Sequence, residues 1–255
     1  MKPLLRLAQA AWLAEIGVDL HWLDVRAPDV AAAPASNPAD RARAPVTAPA
    51  LAPETARPPA QCPDLDALAG AVRACQQCGR HQQRLRAVPG AGQTERPFYL
   101  IVAEQPGIDD EVAGQPFQGD SGRLLQTMLS AVRLPHAESR FGTYVVKCRA
   151  PGGHEPDAAE IAACVPHLRR EIALLQPRWI LALGRVAAQA VLGGAVELDA
   201  VRGTAQRYRQ ESGDDIPVWV THQPASLLVR SALKAEAWRD LAGLAQAVRQ
   251  SAPTT

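Results

Sequence analysis

One stretch limits the options of this chain more than any other. Residues 98–122 read FYLIVAEQPGIDDEVAGQPFQGDSG. They open on a short apolar run, Phe98 to Val102, with the length and composition of a buried strand. A long loop follows, carrying Glu104, an acidic patch at Asp109 to Glu111, and regular Pro and Gly punctuation. Then Leu124, Leu125, Met128, Leu129 and Val132 recur at helical spacing. Strand, long loop, helix is how an α/β fold presents chemistry at the carboxyl end of its sheet. A loop of this length inside a compact domain is a connector or a functional surface, and its ordered punctuation favours the second.

The same pattern repeats downstream. Gly142 to Cys148, Arg178 to Leu183 and Ile216 to Thr221 read as three further strands. Helical patterns separate them. One runs over Ile161, Cys164, Leu168, Ile172 and Leu175 behind an Asp157 cap, an alanine-rich one follows Gly184, and a last one carries Leu233, Ala237, Trp238, Leu241 and Leu244. An earlier helix with Asp64 as its cap carries Leu65, Leu68, Val72 and Cys75. Four strands alternating with helices predict an α/β, three-layer α/β/α sandwich around a four-stranded, mostly parallel sheet. A ligand then belongs where the loops 103–122, 149–156 and 222–230 converge.

The first quarter of the chain differs. In residues 1–26, Leu4, Leu5, Ala8, Trp12 and Ile16 have helical spacing, Gly17 stops the helix, and 18–23 read as extended. Residues 27–60 contain eight prolines among alanines, without apolar periodicity, and are expected to be a disordered linker. The expected organisation is thus an N-terminal helical and extended segment (1–26), the linker (27–60), a globular domain (61–250) and a tail (251–255). A segment on a tether suggests a protein partner for residues 1–26.

Arg6, Gln9 and Glu15 interrupt the N-terminal apolar stretch, which argues against a signal peptide, and no run nears the ~18 apolar residues of a membrane helix. A cytoplasmic protein without a membrane partner, acting as a monomer, is expected. The net charge of +1 is silent on nucleic acid, because a local basic groove can hide in a balanced total. In a cytoplasmic chain, five cysteines point to metal or catalysis before disulfides. Cys75 and Cys78 form a CxxC, and Cys148 and Cys164 stand alone, with fifteen residues between them. The spacing leaves a redox pair, a zinc site, an iron–sulfur cluster and scattered core thiols open. Cys62 reads as a bystander at the end of the linker.

Taken together, these residues resemble the iron–sulfur uracil-DNA glycosylases, the family 4 group of their superfamily. The family motif GEAPGxxED with GxPFxGxxG is similar to Ala103 to Gly107, Asp110-Glu111 and Gly114 to Gly122. TNVVKCRPP is similar to Thr143 to Pro151, and the segments Glu160 to Leu168, Pro177 to Gly184, Val201 to Gly203 and Thr221 to Leu241 also match. The resemblance covers about residues 64–248. It implies a [4Fe–4S] cluster on Cys75, Cys78, Cys148 and Cys164, with zinc as the alternative, and single- or double-stranded DNA as partner. It also implies hydrolysis of the N-glycosidic bond of a flipped-out uracil in base-excision repair.

Residue by residue, the resemblance gives Glu104 as the carboxylate that places water or steadies the sugar cation. Phe117 is the ring that stacks on the base, and Gly107 keeps the backbone close to the pocket. Gln105 replaces an Ala of the motif and Ala103 a Gly. Two positions depart more seriously. Tyr144 stands where the family has the Asn that reads the uracil edge, and Gln223 where it has the His that donates to the leaving base. His222, one residue early, takes that role only if the loop shifts register. Leu227 is the expected wedge beside a flipped base, with Arg230, Arg202, Arg149 and Lys147 as phosphate contacts. These departures imply weakened or altered excision, or a catalytically inactive DNA- or partner-binding module on the same fold.

Overall fold

The computed structural model describes residues 58–210, 213 and 215–251, together with the backbone of Leu4–Leu5 and Asp24–Val25. The chain divides into two units, Met1–Leu51 and Ala52–Thr255. Within the first, Leu4–Leu5 and Asp24–Val25 pair as a short parallel ladder. Leu4 and Leu5 are therefore extended, not the start of the helix their spacing suggests. The rest of the 1–26 reading, and the linker reading of 27–57, lie outside the described residues, as does the tail from 252.

In the second unit, order begins before the expected boundary, with a 3₁₀ turn at Pro59–Gln61. Cys62 is wholly buried against Leu68 and Ala71, so it is a core residue and not part of a linker. Helix α1 (Leu65–Ala74) follows, its first turn held by Asp64, whose carboxylate accepts the Ala67 N–H at 2.8 Å. The elements then run β1 (Ala91–Gly92), β2 (Tyr99–Ala103), α2 (Ile108–Ala113), α3 (Gly119–Ala131), β3 (Arg140–Tyr144), α4 (Ala158–Leu175), β4 (Trp179–Leu183), α5 (Arg185–Leu192) and α6 (Leu198–Val201). They finish with β5 (Ala205–Tyr208), β6 (Ile216–Thr221), α7 (Pro224–Val229) and α8 (Lys234–Ser251). No helix among the described residues is long and apolar enough to cross a membrane.

The sheet has six strands in the order β1-β3-β2-β4-β6-β5, two more than the four expected. The four inner strands are parallel, and β1 and β5 add antiparallel edges. The inner strands read as apolar runs because both faces are covered. Along β2, Leu100 and Val102 face α4 and α5, while Tyr99, Ile101 and Ala103 face α3 and α8. Asp157 and Glu160 cap α4 reciprocally, each side chain accepting the other's backbone N–H at 2.8 and 3.0 Å. From β2 the chain moves to β3 on one side, then crosses to β4 on the other. The carboxyl ends of β2 and β4 therefore diverge into opposite layers, which opens a crevice between them.

Candidate functional site

That crevice is a cleft of about 730 Å³. Its walls include Glu104, Gln105, Gly107, Phe117, Tyr144, Gln223 and Arg230, seven of the residues singled out by sequence. They come from three loops at the carboxyl end of the sheet, as the topology requires.

The floor is held by a carboxylate the sequence reading left in an acidic patch. Asp110 is buried, and its Oδ1 accepts the Gln118 N–H at 2.6 Å. Its Oδ2 accepts the Gly107 N–H at 2.7 Å and the Tyr144 O–H at 2.8 Å. The Tyr144 oxygen in turn accepts the Phe117 N–H at 3.0 Å. Both ends of the long loop are thus tied to the end of β3, where Tyr144 pairs in register with Ala103. Burial and the Asp110 charge push the phenol pKa up, so it stays a donor. A position-three acidic residue after a helix-opening Gly was the available signal for Asp110. Asp110→Asn keeps the shape but turns an NH₂ toward a donor. It is expected to lower unfolding stability by about 3 kcal/mol, read from a denaturant titration.

Phe117 lies beside Tyr144 with ring centroids 5.3 Å apart, and its backbone has a positive φ of 59°. Two glycines permit this pose. A Cβ at Gly142 would lie 2.7 Å from the Phe117 ring, and one at Gly122 would meet the Phe117 carbonyl oxygen at 1.8 Å.

Glu104 is half-buried, and its carboxylate has no hydrogen-bond partner among the described residues. Burial raises its pKa above the usual carboxylate range, the Glu155 charge adds to this, and Arg185 and Arg80 oppose it. A carboxylate with a raised pKa, facing a cleft and free of partners, is equipped to take a proton from water. Its neighbour Gln105 is committed: Arg80 Nη1 donates to its Oε1, and its Nε2 donates to the His154 carbonyl at 2.9 Å. Gln223 opens α7, and its side chain lies over Gly184 at the end of β4.

Four sequence assignments need correction. His222 is buried outside the cleft with Nε2 3.0 Å from Glu236, so it does not stand in for the missing His. Leu227 is fully buried; the exposed large apolar residues of that helix are Leu228 and Val229, and Val229 lies on the cleft beside Arg230. Arg202 is ion-paired to Asp199, Glu236 and Asp240 at 2.8, 2.7 and 3.1 Å, which leaves it no free charge for phosphate. The same guanidinium bonds two members, Asp199 and Glu236, of the Asp199, His222 and Glu236 cluster that otherwise has metal-ligand spacing. Lys147 is buried against Glu171 at 2.7 Å and faces no solvent.

Beside the cleft, Cys75, Cys78, Cys148 and Cys164 line one small cavity, all as free thiols. Cys75 ends α1, Cys78 opens a 3₁₀ turn, Cys148 follows β3 and Cys164 sits in α4. Arg84 Nη1 points at the Cys148 sulfur at 2.9 Å, and the Lys147 N–H at the Cys164 sulfur at 3.3 Å. Burial pushes the Cys164 thiol up to about 12, so binding a metal must release its proton. Among the described residues, no three of these sulfurs lie within 4.8 Å of one another. Four thiols around one cavity are a donor set for a metal ion or an iron–sulfur cluster. Arg80 ties this region to the cleft: it binds Gln105, the Cys148 carbonyl at 3.1 Å and Glu160 at 2.8 Å.

Fold and site define a doubly wound α/β protein with a cleft at its switch point, walled by a free carboxylate and an aromatic ring, and a four-thiol cavity alongside. Comparison with known proteins makes this specific. The model of the uracil DNA glycosylase superfamily matches residues 89–242, and the chain belongs to that superfamily. It is similar to type-4 uracil-DNA glycosylases of Pyrobaculum aerophilum (37% identity over 183 residues, 70% of this chain and 92% of the relative) and Archaeoglobus fulgidus (30% over 194 residues, 74% and 96%). The type-4 enzyme of Sulfurisphaera tokodaii is 33% identical over 167 residues, 64% of this chain and 75% of the relative.

Proposed function

We propose that this protein binds DNA, accepts a flipped-out nucleotide in the cleft and hydrolyses its N-glycosidic bond, with uracil as the nominal base and with weakened excision. The observation that carries this reading is Glu104: a partner-free carboxylate with a raised pKa, in the same cleft as Phe117. Phe117 stacks on the base. Glu104 orients a water whose oxygen bonds to C1′ as the bond from C1′ to the base nitrogen breaks, and the carboxylate takes the proton. The base departs with the bonding electrons as an anion, and the Gln223 amide, which lines the same cleft, is the donor offered to it in this reading. Val229 and Leu228 form the wedge, with Arg230 on the phosphates, while Arg149 is paired with Glu111 at 3.2 Å and helps hold the cleft wall.

Cys75, Cys78, Cys148 and Cys164 hold a [4Fe–4S] cluster in this reading; when bound, it cross-links α1, the loop after β3 and α4 beside the cleft. Residues 1–26 serve as the partner-binding segment.

A second reading is supported by Tyr144. Its hydroxyl is already donor to Asp110 and acceptor from Phe117, so nothing of it is left to read a uracil edge. The protein is then a DNA-binding module without excision. Single-turnover assays on uracil-containing single- and double-stranded DNA separate the two. Slow but real excision supports the first, whereas DNA binding with no excision supports the second. Excision at the rate of an enzyme with an intact motif overturns the weakened-activity reading.

A further inference from the structure

The four-cysteine cavity has another polar side chain, which the glycosylase reading leaves unused. His167 sits one helical turn after Cys164 on α4, is only 3% exposed, and lines the cavity together with all four cysteines. Its Nδ1 is buried and has no hydrogen-bond partner among the described residues. Leaving such a nitrogen unmet is costly, so orphaned atoms are few and each one marks a bound group or a strained place. The other buried orphans are on Arg80, whose guanidinium is anchored by Gln105, the Cys148 carbonyl and Glu160. His167 has only the Cys164 backbone carbonyl, one turn back on α4, near its ring, and Nδ1 does not reach hydrogen-bond geometry with it. The other histidine of the cavity, His81, already has its Nδ1 2.7 Å from the Cys78 carbonyl.

We propose that His167 donates an imidazole N–H to a sulfur of the group the four cysteines hold, and that it thereby sets the reduction potential of that group. The proposal rests on the iron–sulfur reading above. Two donors already reach the ligand sulfurs, Arg84 Nη1 at Cys148 and the Lys147 N–H at Cys164. His167 supplies a third from the α4 side, and so resolves its own unmet nitrogen. Thiolate ligands make a cluster anionic, and one-electron reduction adds a further negative charge. A donor to sulfur stabilises the reduced form more than the oxidised one, which raises the potential. The imidazole is a positioning and tuning group here, distinct from the four ligands.

The test uses the full chain, purified anaerobically with isotope-labelled histidine nitrogen, with the cluster brought to a paramagnetic state. A weak nitrogen coupling to the cluster is expected in pulsed electron paramagnetic resonance, and it should vanish in His167→Leu. That variant should keep the visible absorbance of the cluster while its midpoint potential falls. His167→Gln, which retains an N–H donor, should recover part of the shift. Equal midpoint potentials in wild type and His167→Leu overturn the proposal, as does a coupling strong enough for direct iron–nitrogen ligation. If His167→Leu does not fold, the wild-type coupling and the His167→Gln potential decide it. A colourless protein with stoichiometric zinc refutes the iron–sulfur reading itself, and is told apart from the other outcomes by metal analysis alone.

Discussion

Glu104→Gln is expected to remove base excision and, at the same time, to make the folded protein harder to unfold at neutral pH. The first effect follows from chemistry. An amide accepts no proton from water, and losing a positioned general base costs about 10²–10⁴ in rate. The second follows from the raised pKa. Burial favours the protonated carboxyl, so the contribution of Glu104 to stability is complete below the ordinary value of about 4.5. It is lost as pH rises through the folded value, leaving a half-buried charge without a partner at pH 7. A neutral isostere never carries that charge. Thermal unfolding midpoints should therefore favour Glu104→Gln at pH 7, with the gap closing as pH falls below about 4. In the wild type, single-turnover excision should fall on acidification at a pH above the ordinary carboxylate value. If Glu104→Gln retains full excision, or unfolds more easily at pH 7, the general-base role is wrong.

Three inner strands, β2, β4 and β6, were readable because each is largely an apolar run covered on both faces, and β6 falls on the expected residues, Ile216 to Thr221. The end of β3 was not readable. The apolar sequence continues through Val145 and Val146, yet the ladder with β2 stops at Tyr144. Beyond it the chain still receives bonds from its neighbour, Val145 N to the Ala103 carbonyl and Val146 N to that of Glu104, but no longer as a strand. The edge strands escaped for the opposite reason. Ala91–Gly92 is too short for any pattern, and β5 is only partly buried, so neither has the apolar run that marks an inner strand. Helix α2 was hidden inside an acidic, Gly-bounded loop that is polar at the positions a helix search weighs.

The site divides along the same line. Glu104, Tyr144 and Gln223 stand at the ends of strands, where topology alone brings them together, and Phe117 is held beside them by the bonds of its loop to Tyr144 and Asp110. The failures are residues whose partners are distant in sequence. Arg202 looks free until α8 brings Glu236 and Asp240 to it, and His222 is taken by the same Glu236. For Leu227 the obstacle is helical phase: along Leu227-Leu-Val229 only the first faces inward, and composition does not say which. Asp110 and Arg80 were missed because their importance lies in bonds that converge from loops the sequence keeps apart.

Tyr144→Asn combined with Gln223→His is expected to raise single-turnover uracil excision by about 10²–10³, the effect of restoring one well-aimed donor to the leaving oxyanion. The two changes act on opposite walls of the cleft. Asn at the end of β3 offers an amide donor and acceptor where the phenol has neither to spare, and it removes a ring from the floor. His at the cap of α7 replaces a freely rotating amide with a donor of fixed geometry. The changes are not expected to be additive. Tyr144→Asn also cuts the bond to Asp110 and frees the Phe117 N–H, so alone it should loosen the loop carrying the stacking ring and lower stability. Gln223→His alone leaves the Tyr144 ring where the base must sit, so its gain should be small. Only the pair addresses both the room for the base and the charge it carries away. A double variant that excises uracil where the wild type barely does would show that Glu104, Phe117 and the cysteine-bound scaffold remain competent. A double variant that folds, binds DNA and still leaves uracil in place would move the protein to the binding-module reading.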